Sequence, residues 1–376
     1  EDGTSMQVDD RLEIGSNSKS FTIAVLMQLQ EEGLLSFDDQ LSDWLPDLAA
    51  EIPNGQQITL RQLASHTSGI WDYGDPIIGE AANDPAKLQV SYTPQELVQY
   101  AIDNGTPDFN PGEGWKYSNT GYILLGMIAE KAAGQPLGEL YQERIFEPLG
   151  LETAALIPGV PEAGEITSGY WWLDDGTRLD TTNWNVSQGW AAGGIAMTAE
   201  DLAAYGEALA AGELFQDPDS LAQMLTFNEN TLGLGGAPFG LGLMDFSNGY
   251  WGHEGQTAGF QSLWYTNPDE GITVAGLTNS AAYSAFSFLN VRNILNGSGL
   301  QPFQSTTLLP LADQAPALLS SDWQWKQAAS GSDVTEIPPG FKVSLAKDNS
   351  TIVSGPVSYT HLTLPTMRLR CRSRWS

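Results

Sequence analysis

Between Ser16 and Gly33 the chain carries a helix with almost no polar face. Ser16, Asn17 and Ser18 can cap its start and Gly33 can end it. Phe21, Ile23, Ala24, Val25, Leu26, Met27 and Leu29 fill its middle. A helix that is apolar nearly all the way round is buried on most sides, so the rest of the chain must supply its cover. The material is there: 12 Trp, 12 Tyr and 13 Phe in a chain that is 41% hydrophobic can form a large core despite a formal charge of −30. A length of 376 residues suggests two domains, or one large domain with an insertion.

Further helices are expected from Thr120 to Ala133, ending at Gly134, and from Leu137 to Phe146, stopping before Pro148. Another begins at Thr198, with Asp201 at capping-box spacing, and runs to Gly212. Trp71 to Pro76 and Trp171 to Trp184 read as loops. Strand signals concentrate late: Gly259 to Asn267 and Ile272 to Asn279 flank Pro268-Asp269-Glu270-Gly271, a hairpin signature. A last helical stretch spans roughly Ser284 to Leu295. The expected fold class is α+β, an antiparallel sheet flanked by helices plus a mainly helical insertion. Residues 1–300 form the main region. Residues 301–356, rich in Pro, Ala and Ser with one alternating stretch at Phe341 to Leu345, read as a linker or an incomplete C-terminal extension.

The charge is unevenly distributed. Val357 to Ser376 holds Arg368, Arg370, Arg372 and Arg374, no acid, and Cys371, the one cysteine of the chain. Without this tail, 46 acids face 12 bases, a balance of −34. Residues 357–376 therefore read as a non-native tail, and Val357 to Thr366 resembles translated adapter or vector sequence. So acidic a body disfavours nucleic acid and anionic membranes as partners. No apolar run is long enough to span a membrane. With no thiol outside the tail and only His66, His253 and His361, neither a metal centre nor a disulfide is expected. The acidic, thiol-free, lysine-poor composition suits a periplasmic or secreted protein.

Three local patterns carry chemistry. In Ser16-Asn17-Ser18-Lys19, positions i and i+3 share a helix face, which brings an amine within reach of a hydroxyl. A serine becomes nucleophilic when a neighbour removes its proton, and lysine does so when burial keeps it neutral. Tyr117-Ser118-Asn119 precedes a helix; beside a lysine, a tyrosine can act as acid or base and an asparagine can bind an amide. His253-Glu254-Gly255-Gln256 enters a strand whose N–H groups can form an oxyanion hole. Each pattern alone also has a structural reading, as a helix start, a helix cap and a buried strand histidine. His66 reads as a helix or turn residue supporting the core, and Asp174-Asp175-Gly176 as a turn lacking the other ligands of a calcium loop.

As an ordered set the three patterns resemble the penicillin-recognising serine hydrolases, which include class C β-lactamases, D-Ala-D-Ala carboxypeptidases and related esterases. Leu60 to Gly69 (LRQLASHTSG), Pro111-Gly112, Ile145 to Leu151 and Ala192-Gly193-Gly194 ahead of Thr198 extend the likeness over about Arg11 to Gly297. The resemblance implies a β-lactamase/DD-peptidase-like fold with no metal and no cofactor. It implies Ser16 as acylated nucleophile, Lys19 as its proton acceptor and Tyr117 as proton shuttle. It further implies Asn119 on the acyl-side amide, the N–H groups of Ser16 and Gln256 on the oxyanion, and His253 and Gly255 lining the substrate strand.

His253 stands where β-lactamases carry a lysine, so D-Ala-D-Ala carboxypeptidase activity is expected first, then an esterase, then a class C-type β-lactamase. The expected partners are small peptide, ester or β-lactam substrates. Glu254, where related carboxypeptidases carry threonine, would repel a substrate carboxylate unless it points away along the strand. A Ser-His-Asp hydrolase is the competing serine mechanism, and no G-x-S-x-G occurs. A non-catalytic penicillin-binding homologue is the alternative outside enzymes. Family members carry several dozen residues ahead of the serine motif, so the chain is expected to be N-terminally truncated, with the sheet short of edge strands beside the His253 strand.

Overall fold

The computed structural model of the protein describes residues 7, 9–173, 176–228 and 237–282, and the backbone of strands at 335–337, 341–345, 350–354 and 368–373. A 3₁₀ turn, Gly15–Asn17, leads directly into the helix Ser18–Glu31. Every residue of that helix from Ser18 to Met27 is buried, as is Leu29. Its cover comes from the helix Asn119–Ala133, the short helix Trp190–Gly193 and the segment around Leu137–Tyr141. Phe21 stacks on Tyr205 with ring centroids 3.6 Å apart and meets Phe146 edge-on. Thr22 is polar inside this wall because its hydroxyl has partners: it bonds the Tyr141 hydroxyl and donates to the Ala191 carbonyl, both at 2.7 Å.

Two small three-stranded sheets accompany the main one. In the first, β5 (Ile195–Met197) lies between β1 (Leu12–Glu13) and β2 (Ala155–Leu156), antiparallel to both. In the second, β3 (Tyr170–Trp172) pairs antiparallel with β4 (Arg178–Asp180) and parallel with β10 (Ser280–Ala282). The main sheet is antiparallel throughout. Its central strands run in the order β9 (Ile272–Thr278), β8 (Gln261–Asn267), β7 (Trp251–Gln256) and β6 (Met244–Asp245). On the far side of β9 the order continues through β14 (Arg368–Ser373), β13 (Ser350–Ser354), β12 (Phe341–Leu345) and β11 (Thr335–Ile337). The helix Ala199–Ala210 packs across β8 and β9. This is the expected α+β arrangement, and the hairpin at Pro268–Gly271 forms where its turn residues place it.

Several expectations need correction. The segment from Leu137 does not stop before Pro148: an α-helix to Tyr141 passes through a π-turn, Gln142–Phe146, into Glu147–Leu149. Pro148 sits at the start of that last piece, where a missing N–H costs nothing, and Gly150 in the left-handed region ends it. The loop from Trp71 gives way to a helix, Gly74–Asn83, with Asp75 and Pro76 in its first turn. Trp171 to Trp184 holds the β3–β4 pair. The His253 strand has a partner on each side, β6 and β8, where a gap was expected. The helix expected near Ser284 to Leu295 lies outside the described residues.

Candidate active site

Ser16 sits in the 3₁₀ turn, half-buried, with β7 pressed against it. Two glycines permit that approach. Gly15 has φ +50, and a Cβ there would lie 2.8 Å from the backbone nitrogen of Gln256. A Cβ on Gly255 would lie 2.0 Å from the Ile14 carbonyl oxygen. Side chains lock the same contact: Asn17 Nδ2 donates to the Ile14 carbonyl at 3.1 Å and to Ser262 Oγ at 2.6 Å, and Ser262 Oγ donates to the Ile14 carbonyl at 2.6 Å. The oxyanion-hole candidates, Ser16 and Gln256, are thereby brought together by backbone.

Lys19 is fully buried and one turn along. Its Nζ lies 3.1 Å from Ser16 Oγ, 2.7 Å from Asn119 Oδ1 and 2.7 Å from the Ala192 carbonyl oxygen, above the rings of Tyr117 and Tyr122. Burial pulls its pKa from 10.5 down to about 7, against the opposing pull of Asp72. A neutral amine has two N–H bonds and one lone pair. Asn119 Oδ1 and the Ala192 carbonyl accept both N–H bonds, which leaves the lone pair on the Ser16 side. The arrangement can therefore take a proton from the serine hydroxyl.

Tyr117 is held beside this pair. Burial drives its phenol pKa well up, with the nearby Ser16 hydroxyl tempering the shift, and among the described residues its hydroxyl makes no close hydrogen bond. Such a phenol stays protonated and has its donor free for an incoming group. Ser118 caps the helix behind it, accepting the N–H of Gly121, and Asn119 opens that helix. His253, on β7, is buried and its Nδ1 is spent on the Glu254 carbonyl. Burial lowers its pKa to about 3, with the Lys19 charge adding to the shift, so the ring is neutral. Glu254 projects to the other face of the strand and is bonded by the Tyr265 hydroxyl, so it is turned away from the His253 side.

Four contributors were not visible as site residues in the sequence. His66 adopts φ +59 and takes the Ser118 N–H on Nδ1 at 3.2 Å; its ring lies 4.4 Å from that of Tyr117. Because a backbone N–H can only donate, the His66 proton resides on Nε2. Asp72 accepts the Asn119 backbone N–H at 2.6 Å. Asn17 and Ser262 are the locks already described. The signal for His66 was its place in the HTSG turn. Asp72 had only its position in an ordinary polar loop. A surface cavity of about 490 Å³ lined by Met127, Glu130, Lys131 and Trp190 contains none of these groups. Among the described residues no cluster of His, Cys, Asp or Glu is arranged to hold a metal, and no helix is long and apolar enough to cross a membrane.

Comparison with known proteins places the chain in a family. The Beta-lactamase family model matches residues 1–296. A D-stereospecific amidohydrolase from Streptomyces sp. superimposes with a TM-score of 0.66 at 35% identity, over 72% of this chain and 83% of that one. Penicillin-binding protein 4* of Bacillus subtilis (strain 168) is 36% identical over 147 residues, which is 39% of this chain but only 30% of that protein. A D-aminopeptidase of Cereibacter sphaeroides (strain ATCC 17029 / ATH 2.4.9) is 26% identical over 94% of this chain and 69% of its own length. With a matching family model that spans most of the sequence, this chain belongs to the beta-lactamase family of penicillin-recognising serine hydrolases.

Proposed function

We propose that the protein is an amidohydrolase working through a Ser16 acyl-enzyme, with D-aminoacyl amides or short peptides bearing a free amino end as substrates. Lys19 takes the Ser16 proton as Oγ attacks the carbonyl carbon, and the backbone N–H groups of Ser16 and Gln256 face the developing oxyanion. Tyr117 gives its proton to the leaving nitrogen as the C–N bond breaks and is reprotonated by Lys19. Water then attacks the ester, its proton returning through the same groups to Ser16 Oγ as the acid is released. No metal and no organic cofactor takes part in this scheme.

The observation that carries the substrate reading is the seat of His253, buried on β7 with Nδ1 held by the Glu254 carbonyl. A carboxypeptidase must recognise a terminal carboxylate, and an uncharged imidazole whose Nδ1 is occupied supplies no cation for it. The field around Tyr117 is instead negative, from Asp72 and Asp75, which suits a substrate ammonium. Similarity to a D-stereospecific amidohydrolase and a D-aminopeptidase supports the same reading. D-Ala-D-Ala carboxypeptidase activity is the second reading, favoured by the His-x-Gly pattern on β7 and the likeness to penicillin-binding protein 4*. Turnover of D-alanine and L-alanine p-nitroanilides, N-acetyl-D-alanine p-nitroanilide, a D-Ala-D-Ala peptide, a p-nitrophenyl ester and a chromogenic cephalosporin separates these. Preference for the D-anilide with a free amine is expected. Faster cleavage of the D-Ala-D-Ala peptide or the cephalosporin would overturn the assignment.

A further inference from the structure

The amide of Asn119 faces two different demands. Its Oδ1 accepts from Lys19 at 2.7 Å, which is useful only while the oxygen, and not the nitrogen, points that way. Nothing in the asparagine itself fixes that choice, since the two ends of the amide have nearly the same shape. The Asp72 carboxylate removes the ambiguity. One oxygen accepts the Asn119 backbone N–H at 2.6 Å, and the other accepts its Nδ2 at 3.3 Å. A carboxylate accepts and does not donate, so a flipped amide would set oxygen against oxygen at Asp72 and N–H against N–H at Lys19.

The loop is built to present this acid. The second carboxylate oxygen also takes the N–H groups of Gly74 at 3.1 Å and Asp75 at 3.4 Å, so Asp72 closes the turn that starts the Gly74–Asn83 helix. A Cβ on Gly74 would lie 2.4 Å from Asn119 Nδ2, which shows how closely the turn is seated against the asparagine. Asp72 is mostly buried, and its charge is felt by Lys19.

We propose that Asp72 is a positioning residue for the Ser16–Lys19 pair: it orients the Asn119 amide toward Lys19, and its negative charge sets how readily Lys19 holds a proton. This rests on the assignment of Lys19 as base and is independent of which substrate is cleaved. The other groups facing Lys19 are Ser16, the Ala192 carbonyl, the rings of Tyr117 and Tyr122, and the two neutral imidazoles of His66 and His253, whose ionisation its charge opposes. Among the described residues, Asp72 is the anion whose charge acts on Lys19.

The test is the pH profile of p-nitrophenyl acetate hydrolysis by the wild type, Asp72→Asn and Asp72→Ser. The serine variant keeps a turn-closing acceptor without the charge, which guards against loss of the fold. With the anion gone, the acid limb of kcat/KM should move to lower pH in both variants. At the plateau kcat should fall about tenfold while KM changes less than about twofold, because the base is misaligned and substrate binding is not touched. A limb that stays in place, with or without a loss of kcat, would overturn the proposal, since a merely structural role lowers activity without shifting that limb. A wild type with no acid limb would instead refute the assignment of Lys19.

Discussion

The state of Lys19 makes a quantitative prediction about pH. Displacing its pKa from 10.5 to about 7 corresponds to about 5 kcal/mol against the buried ammonium. Only the neutral amine has a lone pair for the Ser16 proton, so activity should follow the neutral fraction. That fraction is about a tenth at pH 6 and about nine tenths at pH 8, so kcat/KM for an activated ester should rise about tenfold across that interval. Below pH 6 it should fall about tenfold per pH unit. Tyr117 keeps its proton throughout, because burial raises its pKa, and should add no basic limb below pH 9. His253, with a pKa of about 3, is neutral over the whole range.

Among the described residues a second buried group titrates in the same window. Glu13 is raised to about 7 by burial, against the hydrogen bond that the Trp184 indole donates to it. Its ionisation introduces a buried charge as pH rises, the opposite sense to the gain expected from Lys19. The assay is initial-rate hydrolysis between pH 5 and 9 in constant-ionic-strength buffers, on the wild type and Glu13→Gln. The rise should persist in Glu13→Gln. A flat profile, or a rise that vanishes in Glu13→Gln, would refute the reasoning.

Further consequences concern the frame of the site. Gly15→Ala forces a side chain into φ +50 and against Gln256, so kcat should drop about a hundredfold with secondary structure by circular dichroism intact; wild-type kcat would contradict the account of the serine turn. Phe21→Ala removes a fully buried ring stacked on Tyr205 and should cost about 3–5 kcal/mol in denaturant unfolding, with less than 1 kcal/mol counting against a packed core there. Acid should destabilise the fold through His253: the unfolded ring binds a proton below pH 6.5 while the folded one resists until about pH 3, so stability is lost as pH falls through that window. Relative to His253→Asn, the wild type should lose about 1.4 kcal/mol per pH unit there, read from melts in parallel; identical slopes would disprove the neutral buried ring.

How much of this was legible in the sequence depends on the range of the interaction. The serine helix, its glycine-ended neighbours and the β8–β9 hairpin follow from periodicity and caps within a few residues. Asn119–Ala133 is a clear case, begun by the Ser118 cap and ended by Gly134 in the left-handed region. Pro148 misled because its place at the start of a new helical piece depends on the preceding π-turn. Ser16, Lys19, Tyr117 and His253 were found as motifs, and the structure gathers them. Asp72, Asn17 and Ser262 were not, because each acts through a partner distant in sequence: Asn119, and for the last two each other. A polar side chain in a loop or an apolar strand gives no sign of what it will meet. Glu254 shows the converse, since strand alternation decided its direction and the Tyr265 hydroxyl then bound it.

The central claim is a covalent ester on Ser16. Mixing the enzyme with p-nitrophenyl acetate or benzylpenicillin, quenching in acid within the first turnovers and mapping peptides by mass spectrometry reads it directly. The predicted result is one acyl group on the peptide containing Ser16, absent from Ser16→Ala and strongly reduced in Lys19→Met. An adduct on another residue, or a Ser16→Ala variant that keeps wild-type turnover, would contradict it.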